Sequence, residues 1–301
     1  MLFRSINLLM TQLNGTFGNA IVLESSVAVG TSEKLLKTLH ESGNYCGFSP
    51  ERVDPGRETP KDYEIPKIIS GYDSESLNNI KYWYEKVYDK VVPVSTMATA
   101  EMCKLYENCF RMVNIAYVNE ISDACVNLGI NPNEMINASA TKPFGFMPFH
   151  PGLFVGGSCI NINPYYLKIN CNLPLLELAT KETERRPYEK ALMCLQKYNP
   201  KRVLVVGVGF KAGQSSIMGS GSIPFIHVLQ IFGVTVDYYD PLVENNTYND
   251  LCRTMPNENW TVENLEKEYD LIAICVRQVG IDYNVLSNVK KINIIDFTGK
   301  L

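Results

Sequence analysis

Arg202-Val203-Leu204-Val205-Val206-Gly207-Val208-Gly209-Phe210-Lys211-Ala212-Gly213 is the stretch that decides the fold. A short aliphatic run closed at once by glycines reads as a buried strand delivering the chain into a tight turn. The alternation continues downstream. A helix is predicted over 222–232, a strand from Val234 to Tyr239, a helix over 261–268, and strands from Leu271 to Cys275 and from Ile292 to Asp296. Strands alternating with helices make a doubly wound α/β domain. Asp240, at the end of the second strand, stands where a dinucleotide-binding fold keeps its ribose acid. The residues alone leave open whether the turn meets a dinucleotide or another nucleotide.

Working upstream, helical spacing over 174–197 contains Pro187, read as a kink or break, and 142–158 is a loop rich in Gly, Pro and Phe. Pro132 opens a short helix. From Ala98 to Leu128 runs a long helix apolar on all sides, stopped by Gly129 and buried by several neighbours, which suits a bridge between domains. Before it, strands at 20–24, 44–48 and 91–94 alternate with helices at 32–41 and 74–86, and a loop from Asp54 to Pro66 leads to Lys67-Ile68-Ile69-Ser70-Gly71. This predicts a parallel but incomplete α/β unit. Residues 2–14 have the spacing of an amphipathic helix. The fold class is therefore α/β, with a partial N-terminal Rossmann unit (1–95), a central helical domain with a long bridging helix (96–198) and a C-terminal Rossmann-like domain (199–301).

Bulk properties exclude several functions. The chain has 301 residues, 46% hydrophobic and 20% charged, with a formal charge of -4. That balance lacks the basic footprint of a nucleic-acid or anionic-membrane binder. Nine cysteines without a CxxC pair, and three histidines, indicate neither a metal site nor a disulfide framework, and suit reduced thiols in the cytoplasm. No apolar run is long enough for a transmembrane span, and Asn7, Gln12 and Asn14 interrupt any signal-peptide core.

Four places could carry chemistry. In Gly156-Gly157-Ser158-Cys159 the adjacent glycines let a ligand approach the backbone, and the thiol follows in what reads as an exposed loop; a buried filler cysteine is the alternative. Lys104 and Asn108 lie one helical turn apart and share a face, as two donors converging on one oxygen would, or as a surface lysine with a polar neighbour. Glu51 follows a strand beside Pro50 and by its residues alone reads as a solvated loop carboxylate. His150, nine residues before Cys159, lacks any identifiable orienting partner for a Cys–His hydrolase.

The runs recur in order. They are Glu24-Ser25-Ser26-Val27 with Gly30-Thr31, Ser49-Pro50-Glu51-Arg52 with Pro55-Gly56, and Ala100-Glu101-Met102-Cys103-Lys104-Leu105 with Asn108. Lys142-Pro143-Phe144-Gly145 then precedes Gly156-Gly157-Ser158-Cys159 and Asn163-Pro164-Tyr165-Tyr166-Leu167, and Gly209-Phe210-Lys211 precedes Tyr239-Asp240-Pro241. This series resembles the UDP-glucose/GDP-mannose dehydrogenase family, especially its UDP-N-acetylhexosamine branch. The resemblance implies NAD-dependent, four-electron oxidation of a sugar C6 alcohol to the uronate, on a UDP-hexose or UDP-N-acetylhexosamine. An aldehyde yields its second hydride only after a nucleophile has added, which is why a thiolate is needed. By the same resemblance Cys159 is that nucleophile, Lys104 and Asn108 hold the C6 oxygen, and Glu51 is the general acid/base. Ser26 and Glu51 face NAD, while Gly156, Gly157 and Lys211 meet the substrate. The C-terminal domain is implied to bind UDP, and two copies to pair through the long helix.

The sequence also departs from the family. No strand and GxGxxG turn precede Glu24, so the chain reads as beginning inside the NAD domain. Asn163 stands at the catalytic aspartate, Asn161 replaces a proline and is expected to loosen its loop, and 214–220 lacks the family's Asp and Arg. A truncated, non-catalytic protein that binds a nucleotide sugar or dimerises is the competing expectation.

Overall fold

The computed structural model describes residues 12–13, 15–54, 59–243 and 252–300, with Ser158 as backbone only. The helix read over 2–14 lies outside the described residues apart from Gln12 and Leu13, which are helical. Contacts divide the chain into two units, Met1–Phe110 with Ile162–Leu173, and Arg111–Asn161 with Pro174–Leu301. Among the described residues no helix is long and apolar enough to cross a membrane.

The first unit contains β1 (Ala20–Leu23), α1 (Thr31–Glu41), β2 (Tyr45–Phe48), β3 (Lys67–Gly71), α2 (Ser74–Tyr84) and β4 (Val91–Pro93), with sheet order β1-β2-β3-β4. The pairs β1–β2 and β3–β4 are parallel, as the alternation predicts. The pair β2–β3 is antiparallel, through Gly47–Gly71 and Phe48–Ser70. A parallel return needs a crossover, and among its described residues the connection from 49 to 66 contains only a 3-10 turn, Asp62–Glu64. Gly47 permits the close pairing, since a Cβ there would strike the Ser70 carbonyl. Hydroxyls lace the same pair: Ser49 donates to the Ile68 carbonyl at 2.8 Å and Ser70 to that of Phe48 at 2.7 Å. Leu36 and Leu39, three apart on α1, pack with Phe48, Ile68 and Met97 as the core.

Four helices follow: α3 (Met97–Asn127), α4 (Pro132–Ala140), α5 (Ser158–Asn170) and α6 (Pro174–Tyr198). The predicted long helix is thus α3, displaced by one residue at each end. The cut between the two units falls within it, after Phe110. Asn131 caps α4 by accepting from the N–H groups of Asn133 and Glu134. Pro187 lies inside α6 without ending it.

In the second unit β5 (Arg202–Val206), α7 (Ser222–Ile231), β6 (Thr235–Tyr239), β7 (Arg253–Thr254), α8 (Val262–Glu268), β8 (Leu271–Ile274), α9 (Asn284–Ser287) and β9 (Asn293–Asp296) build a sheet of order β7-β6-β5-β8-β9. Every neighbouring pair is parallel. β5 is central and covered on both faces, which explains its unbroken aliphatic run. Val203 and Val205 face one core with Phe225 and Leu229; Leu204 and Val206 face the other with Trp260 and Leu265. Strands added in sequence lie on one side of β5 up to β7, and then on the other from β8. The crevice of such a sheet opens at the carboxyl ends of β5 and β8.

Candidate active site

In the second unit, two stretches nominated separately by the sequence meet. A Cβ on Gly156 would collide with the Phe210 carbonyl, and one on Gly157 (φ 86°) would lie 3.2 Å from the Phe210 ring. The glycine pair ahead of Cys159 therefore packs directly on Gly209-Phe210-Lys211. The preceding segment is pinned at Gly152, whose N–H donates to Asn119 Oδ1 at 2.9 Å and whose carbonyl accepts from Arg186 Nε at 2.9 Å. Arg186 in turn grips Asp123 through two N–H groups (2.6 and 3.1 Å), and Lys190 adds a contact at 2.8 Å. Burial would raise the Asp123 carboxyl, but the Arg186 and Lys190 contacts outweigh it and hold the group below its ordinary range.

Cys159 is exposed and sits in the first turn of α5, not in an open loop. Pro164 inside that helix concealed it from a reading by breakers. All nine cysteines are free, and burial raises several of the other thiols: Cys46 to about 11, with Asp73 adding to the effect, and Cys109 to about 12. Desolvation does the same to Cys194 and Cys252, each to about 12. Cys159 is the exposed thiol among the nine.

Asn161 does not loosen the loop. Its Nδ2 donates to the carbonyls of Val155 (2.6 Å) and Gly157 (2.8 Å), so the amide ties down the turn that a proline would have stiffened covalently.

The glycine turn after β5 is already occupied from within. Asp240, 2% exposed, accepts from the N–H groups of Val208 and Gly209 at 2.9 Å each. Those amides are the ones a pyrophosphate would use. Gln278, which sequence reasoning missed, braces the same turn: its Nε2 donates to Asp240 Oδ2 (3.2 Å) and to the Gln214 carbonyl (3.1 Å), and its Oε1 accepts from Gly213 N (2.6 Å). Its only sequence signal is position, just beyond the carboxyl end of β8. Lys211 is exposed on the loop so held.

The first unit holds the remaining candidates. Lys104 and Asn108 lie a turn apart on α3, and Asn108 Nδ2 donates to Asn163 Oδ1 at 2.7 Å, both asparagines being buried. Ser26 is half-buried beyond β1. Glu51 projects beyond β2, its Oε1 accepting from the N–H groups of Arg52 (2.6 Å) and Val53 (2.7 Å). Burial pushes its carboxyl up, yet the Val53 N–H, the nearby Lys67 charge and the Arg52 N–H prevail and hold it below the ordinary range. The N-terminus of α1 is filled as the β5 turn is: Glu101 accepts from Gly30 N (2.5 Å) and Ser32 N (2.7 Å). Both glycine-led backbone nests therefore carry the protein's own carboxylates and do not fit the pyrophosphate of NAD.

Comparison with known proteins gives a consistent picture. The central-domain model of the UDP-glucose/GDP-mannose dehydrogenase family matches residues 98–181, and the UDP binding domain model of that family matches residues 204–299. A UDP-N-acetyl-D-mannosamine dehydrogenase from Pyrococcus horikoshii is 31% identical over 243 residues, covering 75% of this chain and 58% of that protein. One from Methanococcus maripaludis is 28% identical over 291 residues, covering 94% of this chain and 64% of its own length. A solved structure of a Pyrococcus horikoshii UDP-D-ManNAc dehydrogenase is similar with a TM-score of 0.81 at 27% identity, covering 99% of this chain and 72% of that one. The chain thus spans 58–64% of the length of these curated relatives.

Proposed function

We propose, on the premise that the chain belongs to the UDP-glucose/GDP-mannose dehydrogenase family, that it handles the C6 carbon of a UDP-hexose or UDP-N-acetylhexosamine as a nucleotide-sugar 6-dehydrogenase does. The observation that carries this reading is the packing of the Gly156–Gly157 turn on Phe210, which couples the exposed Cys159 to the module matched as UDP-binding.

In this proposal the Cys159 sulfur bonds to the C6 aldehyde carbon, the carbonyl electron pair moves to oxygen, and the thiol proton passes to that oxygen, giving the thiohemiacetal. Lys104 and Asn108 supply donors to that oxygen, where negative charge develops. Transfer of hydride from C6 of that thiohemiacetal to an acceptor, with loss of its hydroxyl proton, leaves the thioester. In the hydrolytic stage Glu51, a carboxylate at neutral pH, takes a proton from water as the water oxygen bonds to the thioester carbon; the S–C bond then breaks to return the Cys159 thiolate, and the uronate departs. The amide of Asn163 cannot take a proton as a carboxylate would. NAD is the hydride acceptor the family implies. Here Ser26 and Glu51 are the cofactor-side groups, and the filled nests provide no cradle for its phosphates.

Those filled nests favour a second reading, a nucleotide-sugar-binding or dimerising protein without turnover. The proposal also includes the division at 1–95, 96–198 and 199–301, a cytoplasmic setting supported by nine free thiols, and a homodimer. The dimer is supported in the second unit by exposed Tyr117, Leu175 and Leu178, which line a groove of about 500 Å³ between α3 and α6.

The test is calorimetric titration of the full chain with UDP-glucose, UDP-N-acetylglucosamine and NAD, together with NADH formation. The expected result is UDP-sugar binding with weak NAD binding and slow turnover. Robust turnover abolished by Cys159→Ala would sink the second reading, and absence of any UDP-sugar binding would sink the first.

A further inference from the structure

Lys67 opens β3 and is only 3% exposed, so its ammonium is held almost entirely out of water. A buried charge survives only when paired. Its Nζ lies 3.1 Å from Glu24 Oε1, just past β1, and 3.6 Å from Glu51 Oε2, just past β2. The rings of Tyr84 and Tyr88, at the end of α2 and beyond it, stand 5.7 and 5.3 Å from the same nitrogen and contribute cation–π attraction. Tyr84 also donates its hydroxyl to Glu24 Oε1. One cation thus serves two carboxylates, of which Glu24 alone has the additional phenol.

The antiparallel return of β3 creates this arrangement. Reversal of the chain after β2 brings the first residue of β3 to the edge where β1 and β2 end. There Glu51 is 50% exposed, with one oxygen fixed by backbone N–H groups and the other turned toward Lys67. The neighbouring Arg52 is engaged elsewhere, on Glu107 of α3 at 2.8 Å and on the Pro66 carbonyl at 2.6 Å. The charged and titratable groups around Glu51 in this cluster are thus Lys67 of β3, Glu24 beyond β1, Tyr84 and Tyr88 from α2 and its exit, and the Arg52–Glu107 pair.

We propose that Lys67 is a positioning residue for Glu51: a buried cation, set between two carboxylates and two tyrosine rings, that fixes one oxygen of Glu51 and leaves the group open to water as a proton acceptor. The proposal rests on the reading of Glu51 as the base of the hydrolytic stage. Glu24 competes for the same cation, so the grip on Glu51 depends on how Lys67 divides its field.

The test titrates the full chain by NMR with carboxyl-labelled glutamate, assigning Glu51 by Glu51→Gln. In Lys67→Met the Glu51 midpoint is expected to rise by about one pH unit, a tenfold change in proton affinity, and Lys67→Arg to restore most of it. An unmoved midpoint in folded Lys67→Met overturns the proposal. Should Lys67→Met fail to fold, Glu24→Gln decides: release of Lys67 from its competitor is expected to lower the Glu51 midpoint, and an unchanged or raised midpoint overturns the proposal. None of these titrations needs turnover, so failure of the dehydrogenase reading leaves them interpretable. Where turnover is measurable, the acid limb of kcat is expected to follow the midpoint in Lys67→Met; a moved midpoint with an unmoved limb supports the positioning and removes Glu51 as the base.

Discussion

Asn161 donates to two carbonyls of the turn ahead of Cys159, and each would lose its partner if the amide were removed. Asn161→Ala is expected to lower stability by about 1–3 kcal/mol, the cost of stranding partly buried acceptors, and to change the alkylation rate of Cys159 severalfold. Iodoacetamide labelling against a Cys159→Ala control, with a thermal melt alongside, checks both; unchanged rates and melting would refute the assigned restraint. The substitution was visible in the sequence but its effect was not, because proline stiffness is local whereas the partners of an amide depend on where neighbouring carbonyls fold. Asp240 shows the same limit. Its place at a strand end was readable, and its role as a cap for Val208 and Gly209 required the turn itself.

At the scale of elements, periodic segments were read well and irregular ones poorly. β5 and α3 announced themselves through an aliphatic run and a long helical pattern. α5 was obscured by Pro164, while β7 and α9, of two and four residues, are too short to show a period. The antiparallel β2–β3 pair required seeing that the described residues of the intervening loop form no α-helix. Gly156 joins two such elements, and Gly156→Ala must push the turn off Phe210. UDP-sugar affinity is expected to fall at least tenfold while the helical circular dichroism persists; wild-type affinity in calorimetry would disprove the coupling. In the second unit Asp237 ties β5, β6 and β7 through Arg202 (2.8 Å) and Arg253 (3.0 Å), with the Tyr269 hydroxyl at 3.0 Å. Burial opposes its charge, but these donors outweigh burial and hold its carboxyl below the ordinary range. A depressed folded value stabilises above the unfolded carboxyl pKa, near 3.9, and that contribution disappears as pH falls through the folded value. Asp237→Asn is expected to cost about 3–5 kcal/mol at pH 7 and to flatten the loss of stability below pH 4, as urea melts across pH would show.

For the whole molecule, the ordered series of motifs made the family readable, and the two family matches agree with it. Less accessible was how the candidate residues divide. Cys159 and Lys211 fall in one contact unit and Glu51, Lys104, Asn108 and Asn163 in the other, a partition that linear order does not display. The proposed pairing of two copies is tested at this scale: Tyr117→Glu with Leu178→Glu is expected to shift sedimentation from dimer to monomer, and a monomeric wild type would remove the dimer.

The carboxylate of Asp240 has one more consequence. A dinucleotide approaching the β5 turn must compete with an anion tethered to the same chain, at an effective concentration that a free phosphate does not reach. Discrimination there is set by tethering rather than by shape. Because Asp240 is 2% exposed, added salt, which screens charges in solvent, leaves that discrimination in place.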